Sequence, residues 1–255
     1  MRTDAEQIPM SSDFVLTPGG FRANLYSADE VRALNPGGTN DLLIETVDWC
    51  EHFLGRPSSL VGRTGNVCPF VPQAMMLGSL KFSVISLKNR GENAMTEIEE
   101  IVTAFREHFL ANEKAHGKID IFGSWVMIFP DITAEEASRV IDVPQRQLKP
   151  SFVREGLMLG EFHPISRSPG LRNSAFRPLR SPIPLLVIRH MVESDIDFLS
   201  RPFDPPLIRT QSLKSYLQFL GSSLSVASQV KAKEALKIAE ADLSSETERR
   251  EPSAC

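Results

Sequence analysis

The spacing of hydrophobic residues changes along this chain, and each spacing predicts a type of element. A spacing of three to four residues predicts helices at 41–54, 95–110, 133–148, 194–199 and 212–243. Alternation, or a short continuous apolar run, predicts strands at 80–87, 125–129, 156–162 and 184–191. This order predicts an α+β fold: a mixed β-sheet with packed helices, an N-terminal arm and a long C-terminal helix.

Four regions follow from the same pattern. Residues 1–38 are rich in Pro, Gly, Ser and Asp without a sustained period, and are interpreted as a loosely packed N-terminal arm. Residues 39–205 form the α+β core domain, and residues 206–243 form the C-terminal helix. Residues 244–255 are polar and charged, which predicts a disordered tail and removes Cys255 from the candidate site residues.

Composition narrows the class of protein. The chain is 42% hydrophobic and 24% charged, as in a globular protein, and its net charge of −4 gives no general attraction to nucleic acid or to anionic membranes. No apolar run is long enough to span a bilayer, and the N-terminus does not resemble a signal peptide. Three cysteines do not make a disulfide framework, so we expect a cytoplasmic location.

The segment around Cys68 carries the most chemical information. Pro69 suits the first position of a helix, which predicts Cys68 at the helix cap, where free N–H groups and the helix dipole favour an anion. Such a position lowers the pKa of a thiol. Cys68 is therefore a candidate nucleophile or metal ligand, whereas Cys50 is predicted to face the core.

A second candidate lies at the end of the strand at 156–162. Glu161 and His163 fall on the same side of that strand by their period of two, and Pro164 ends it. A carboxylate and an imidazole would then emerge together. The alternative is a structural pair, with Glu161 holding a cation and His163 bonded to a backbone carbonyl.

The loop that follows is rich in arginine. Residues 166–182 contain Arg167, Arg172, Arg177 and Arg180 among Pro, Ser, Gly and Asn. Because guanidinium groups bind carboxylates through paired donors, this loop suits an acidic ligand or cofactor propionates. Asn173 and Phe176 can complete a pocket wall. A solvated surface loop is the competing interpretation.

The remaining aromatic and sulfur-containing residues allow two readings. Phe70, Met75, Met76 and Trp125 either line an apolar ligand cavity or pack in the core. The common short motifs for nucleotide binding, zinc binding and hydrolase nucleophiles are absent from the chain.

Four segments occur in an order that resembles known families. They are the Cys68-Pro69-Phe70 turn, the strands at 80–87 and 125–129, and Gly160-Glu161-Phe162-His163-Pro164. Together they resemble a bacterial domain of unknown function and, more remotely, the YqcI/YcgG family. Some members of the latter are haem proteins that N-oxygenate amines during natural-product biosynthesis. The likeness covers roughly residues 65–200, and this chain has Cys-Pro-Phe where Pro-Cys is usual.

The resemblance implies a haem-dependent oxygenase acting on a small amine or amino acid, with haem b as cofactor. Cys68 or His163 would be the axial ligand, and Cys68 is preferred because a thiolate favours O–O cleavage. Glu161 would then act with His163 on the substrate side. The residues implied to bind the cofactor are Cys68, Phe70, Arg172, Arg177 and Arg180. The resemblance indicates no redox donor.

Two alternatives stay open. In the first, Cys68 is the nucleophile and His163 the base of a cofactor-free thiol enzyme. In the second, the protein is a non-enzymatic ligand-binding or assembly domain. It would form a homodimer through the C-terminal helix and its row of leucines, Leu213, Leu217, Leu220 and Leu224.

Overall fold

A computed structural model describes residues 13–18, 20, 22–89, 92–117 and 119–250. Its contacts divide the chain into two compact units. The first takes in the described residues of Met1–Gln145 together with Leu159–Arg189, and the second takes in those of Arg146–Met158 and His190–Cys255. The predicted α+β class is confirmed.

The strands make two sheets. β1 (Phe14–Leu16) and β2 (Arg22–Asn24) form an antiparallel pair. The remaining strands are β3 (Tyr26–Ser27), β4 (Leu80–Val84), β5 (Ser124–Ile128), β6 (Leu157–Phe162) and β7 (Leu185–His190). They make a five-stranded sheet in the order β3-β4-β5-β7-β6. Because β4 and β5 are parallel while β5 and β7 are antiparallel, the sheet is mixed, as predicted.

The first unit also contains helices, several of which pack on this sheet. They are α1 (Ala28–Arg32), α2 (Thr39–Trp49), a π-helix (Cys50–Leu54), a 3₁₀ turn (Ser59–Val61), α3 (Val71–Met76), α4 (Glu92–His116) and α5 (Ala134–Val140). Its core joins α1, α2 and α3 to the sheet through fully buried side chains such as Val31, Leu43 and Phe82. On α4, the rings of Phe105 and Phe109 stand edge-on to Trp125 of β5.

The region predicted as a loose arm is packed where the structure describes it. Val15, Ala23, Tyr26 and Val31 are all buried. Tyr26 pairs with Phe82 across β3 and β4, and Ser27 caps α1 in a capping box with Glu30. These elements have only two to five residues, too few for hydrophobic periodicity to reveal them. Residues 1–12 of the predicted arm lie outside the described residues.

The second unit is mainly helical. It contains the later part of α6 (Asp142–Val153), a 3₁₀ turn (Glu193–Asp195), α7 (Ile196–Leu199), α8 (Pro206–Leu220) and α9 (Val226–Arg250). Leu213 and Tyr216 of α8 are fully buried, and they share a core with Ala232 and Ala239 of α9. Leu213 of the predicted leucine row therefore packs in the core of this unit. Among the described residues, no helix combines the length and apolar character needed to cross a membrane.

Two predicted helices are each interrupted. The helix predicted at 133–148 is divided between α5 and α6, because Pro144 cannot donate to a carbonyl four residues earlier and its ring would clash there. The helix predicted at 212–243 is divided between α8 and α9 at residues 221–225, where a Gly-Ser-Ser sequence favours a turn.

The C-terminal segment also differs from the prediction. α9 begins after Ser225, whose side chain accepts the backbone N–H of Ser228, and it continues to Arg250. Residues 244–250 are thus helical instead of belonging to the predicted disordered tail. Residues 251–255, which include Cys255, lie outside the described residues.

Candidate functional site

The arginine-rich loop after β6 has a defined conformation held by its own backbone. The N–H of His163 donates to the carbonyl of Leu179, which closes the base of the loop. Further along the loop, Gly170 donates to Phe176 and Phe176 donates to Asn173. These bonds fold the loop into successive tight turns, so its side chains project from a fixed support.

A second loop, residues 55–67, lies against the arginine loop. The pairing of Pro57 with Asn66 and the bond from the Val67 N–H to the Arg56 carbonyl close its base. At its tip, the carbonyl of Leu60 accepts the side-chain amide of Asn173 at 2.9 Å. This contact joins the two loops although 113 residues separate them in the sequence.

The π-helix adds an aromatic wall beside the two loops. π-helical turns are rare and are found frequently at functional sites. This one carries Phe53, whose ring lies 6.1 Å from the ring of Phe176 and 6.0 Å from that of Trp49. Phe53 is thereby positioned between the partly buried Trp49 and Phe176 of the arginine loop.

The three segments enclose an open cleft of about 370 Å³. Its apolar walls come from Phe53, Leu60, Ala175 and Phe176. Its polar side chains are Asn173, Arg177 and Arg180. The pocket wall that the sequence predicted from Asn173 and Phe176 among the arginines is therefore present, and two of the predicted arginines face it.

Both arginines of the cleft are held by backbone carbonyls. Arg180 donates from Nε to the carbonyl of Ser166 at 3.1 Å. Arg177 donates from Nη1 to the carbonyls of Ser174 and Phe176. No carboxylate lines the cleft, and within the described part of the chain neither guanidinium forms an ion pair. The cleft therefore presents two fixed positive charges without an internal counter-charge.

Arg172, the third arginine predicted to bind a ligand, packs against the loop at 55–67 instead. Its Cβ and carbonyl oxygen would lie 2.9 and 3.3 Å from a Cβ added at Gly62. Its side chain is exposed and does not line the cleft. Arg172 thus marks where the arginine loop packs against the loop at 55–67.

We expect Gly62→Ala to loosen this packing. Gly62 has a φ of +74°, which costs an alanine about 1 kcal/mol, and the clash with Arg172 adds to that cost. The expected loss in free energy of unfolding is about 2–3 kcal/mol, measured by urea denaturation. Gly117→Ala is the matched control, because Gly117 has a φ of +65° with no atom within 4 Å of the added Cβ. Equal losses for the two variants would contradict the close approach of the loops.

The predicted helix-cap position of Cys68 is wrong. α3 begins at Val71 with Phe70 as its N-cap. A helix starting at Pro69 would place Pro72 where it could not donate to the carbonyl of Cys68 and would clash with it. The N–H of Cys68 donates instead to the carbonyl of Leu54 at 2.8 Å. The helix-dipole argument for a thiolate at Cys68 therefore does not apply.

Cys50 faces the core, as the sequence predicted, and is 3% exposed. Burial raises the pKa of its thiol far above the ordinary value, and the neighbouring Cys68 adds to the shift. Cys50 is therefore a neutral thiol at physiological pH. Cys68 itself is half-buried and packs against the same core cluster.

His163 is almost fully buried, with 1% of its surface exposed. Its Nε2 lies 3.1 Å from Oδ1 of Asp142, which the sequence interpretation had not paired with it. Glu161 is half-buried near the end of β6. Within the described residues, His163 makes no hydrogen bond or ion pair with Cys68. The nucleophile and base of the thiol-enzyme hypothesis are thus not hydrogen-bonded to each other.

The residues proposed for an apolar cavity lie outside the cleft. Met75 is buried in the core, and Trp125 packs on α4 as described above. The ring of Phe70 lies 6.2 Å from that of Phe122. Met76 is 71% exposed. The interpretation of this set as packing side chains agrees with Met75 and Trp125.

The arrangement can be compared with the needs of a haem group. Haem iron requires an axial thiolate, imidazole, thioether or phenolate. None of the side chains that line the cleft can supply one. Outside the cleft, the Nε2 of the buried His163 lies against Asp142. The side chains that line this cleft therefore do not fit haem.

Comparison with known proteins identifies a family. Residues 43–231 match the model of a family described as "Domain of unknown function (DUF6875)". The chain belongs to this family. The match confirms the resemblance to a domain of unknown function and gives no support to the remoter resemblance to haem N-oxygenases. No curated protein and no solved structure matches the chain. The family match includes the π-helix, both loops and every residue that lines the cleft.

Proposed function

We propose that this protein binds a small organic anion in the cleft between the π-helix and the arginine loop. The observation that carries the proposal is the pair of cleft guanidiniums, Arg177 and Arg180, which have no carboxylate partner among the residues that the structure describes. Arginines of a purely structural loop are usually paired or turned into solvent. Here two of them face the same concave surface.

The anchoring of the arginines supports binding more than it supports a solvated loop. The bonds to the carbonyls of Ser166, Ser174 and Phe176 hold both guanidiniums near one position. A preorganised donor loses less side-chain entropy when a ligand binds. Charge-assisted hydrogen bonds from arginine to a carboxylate are among the stronger polar contacts in proteins.

The walls of the cleft favour an organic ligand over an inorganic ion. Phe53 and Phe176 present aromatic surface next to the guanidiniums, and ligand sites combine apolar walls with a few placed polar groups in this way. The cleft is open, and Arg180 is exposed. Solvent therefore screens the charges, and we expect affinity in the range of about 0.1–1 mM for a small ligand.

The proposal is tested by titrating the protein with benzoate, succinate and inorganic phosphate, followed by calorimetry or NMR shifts. We expect at least one organic anion to bind and Arg180→Gln to weaken it about tenfold, because a charge-assisted contact is lost. Arg172→Gln is the matched control, since it removes the same charge from the same loop outside the cleft. Absence of binding by every anion, or equal weakening by the two variants, would overturn the proposal.

The haem-dependent oxygenase remains a prediction of the remote resemblance. A non-enzymatic ligand-binding domain, one of the alternatives drawn from the sequence, is supported by the lack of a hydrogen bond between Cys68 and His163 among the described residues and by a cleft lining that offers no axial ligand. Homodimer formation through the C-terminal helices and a cytoplasmic location also remain predictions.

A further inference from the structure

The hydrogen-bonding side chains of the cleft, other than its arginines, are already used within the protein. One N–H of the Asn173 amide donates to the carbonyl of Leu60 at 2.9 Å. Its Oδ1 accepts the N–H of Ala175 at 3.0 Å. The other lining residues are Phe53, Leu60, Ala175 and Phe176, which have no polar side-chain atoms. The walls therefore offer little to a ligand with several hydroxyl or amide groups.

The two arginines supply the free charged donors of the cleft. Arg180 uses its Nε on the carbonyl of Ser166, which leaves the Nη1 and Nη2 groups at the far end of its planar guanidinium. Two parallel N–H donors in this arrangement match the two oxygens of one carboxylate. Nη1 of Arg177 donates to two backbone carbonyls, and its guanidinium adds a second positive charge to the cleft.

The described lining of the cleft has no carboxylate to pair with a positive group on the ligand. Neither Asp nor Glu is among its lining residues. An ammonium group placed near two guanidiniums would meet like charge and would lose water without gaining a carboxylate. An α-amino acid is therefore a poor match for this site, whereas the same molecule without its ammonium group is a good one.

Shape and size complete the description of the ligand. The rings of Phe53 and Phe176 are inclined at 53° to each other, so a flat ligand ring can lie against one and meet the edge of the other. The cleft of about 370 Å³ is open to solvent and has room for a single ring with a short acidic side chain.

Resting on the proposed function, we infer that the ligand is a small aromatic monocarboxylate without an ammonium group. Its carboxylate lies on the Nη atoms of Arg180, and its ring lies against Phe53 and Phe176. This ligand class differs from the amine or amino-acid substrate that the remote resemblance implied, because an amine has no counter-charge in the cleft.

A series of four matched ligands tests this inference by isothermal titration of the full-length protein. 3-Phenylpropionate is the reference ligand. L-Phenylalanine adds only the ammonium group, 3-cyclohexylpropionate removes only the aromaticity, and 3-phenylpropanamide removes only the charge. We expect phenylalanine and the amide to bind at least tenfold more weakly than the reference. The cyclohexyl acid is expected to bind about threefold to tenfold more weakly.

Two variants test where the ring of the ligand lies. Phe176→Leu keeps an apolar side chain and should reduce the difference in affinity between the phenyl and cyclohexyl acids to less than twofold. Phe70→Leu changes a residue outside the cleft and should leave that difference in affinity unchanged. Phenylalanine binding as well as 3-phenylpropionate, or the cyclohexyl acid binding equally, overturns the inference while leaving anion binding in place. If instead none of the benzoate, succinate or phosphate used above binds, the proposed function itself has failed.

Discussion

Phe82→Ala is expected to lower the free energy of unfolding by about 3–5 kcal/mol, a large fraction of the total for an ordinary domain. Phe82 lies in β4 and is fully buried. It pairs with Tyr26 of β3 on one side and with Val126 of β5 on the other. Removing its ring leaves a cavity where the N-terminal segment meets the central sheet, and a rigid sheet fills such a cavity only in part.

Urea denaturation measures this effect, with Met76→Ala as the control. Met76 belongs to the same unit but is 71% exposed, so its truncation should change the free energy of unfolding by no more than about 0.5 kcal/mol. A loss below about 1 kcal/mol for Phe82→Ala would contradict the central position of β4 in the core.

Alkaline pH is expected to destabilise the second unit through Tyr216. Burial raises the pKa of this phenol from 10.0 to about 12, and the nearby carboxylates of Glu193, Asp195 and Asp197 add to the shift. The hydroxyl is protonated in the folded state and donates to the carbonyl of Glu193 at 2.7 Å. Since the folded state holds this proton more tightly than the unfolded state, its contribution is complete below pH 10 and is lost as the pH rises toward 12.

The lost contribution is about 2 kcal/mol near the top of that range. Urea denaturation of the wild type and of Tyr216→Phe, each at pH 9 and near pH 11.5, isolates it, because other alkaline effects are common to both proteins. We expect the wild type to lose about 2 kcal/mol more than the variant over this interval. Equal losses would show that Tyr216 titrates normally. Tyrosinate absorbance gives an independent check. Because burial also raises the pKa of Tyr26, the other tyrosine of the chain, the folded protein should show less tyrosinate at pH 10 than the unfolded protein.

The elements that the sequence predicted well are long and regularly spaced. The runs at 80–84 and 124–128 contain enough apolar residues to be recognised as strands, and α4 shows a clear helical period. The short strands of the N-terminal segment show no such pattern. The capping-box spacing of Ser27 and Glu30 is a signal for the start of α1 that the prediction did not use. The breaks before Pro144 and at Gly221 depend on local backbone geometry that a hydrophobic pattern does not contain.

The candidate site was predicted in part. Charged residues in a long, Pro-rich loop stand out from the sequence, which drew attention to four arginines: Arg167, Arg172, Arg177 and Arg180. Of these, Arg177 and Arg180 line the cleft, and composition could not separate them from the other two. Phe53 and Leu60 were missed, since nothing in the sequence distinguishes a π-helical turn from an ordinary helix end or shows that residues 60 and 173 meet. Pro69 led to the prediction that a helix begins next to Cys68. The start of α3 is set instead by Pro72, which prevents a helix from beginning at Pro69.

A crystal structure of the protein soaked with 3-phenylpropionate tests the central claim most directly. The claim predicts that the carboxylate lies within hydrogen-bonding distance of the Arg180 Nη atoms and that the ring contacts Phe53 and Phe176. The same soak of Arg180→Gln crystals should leave the cleft without ligand. A carboxylate bound away from both arginines, or an empty cleft in wild-type crystals in which lattice contacts leave it open, would contradict the account.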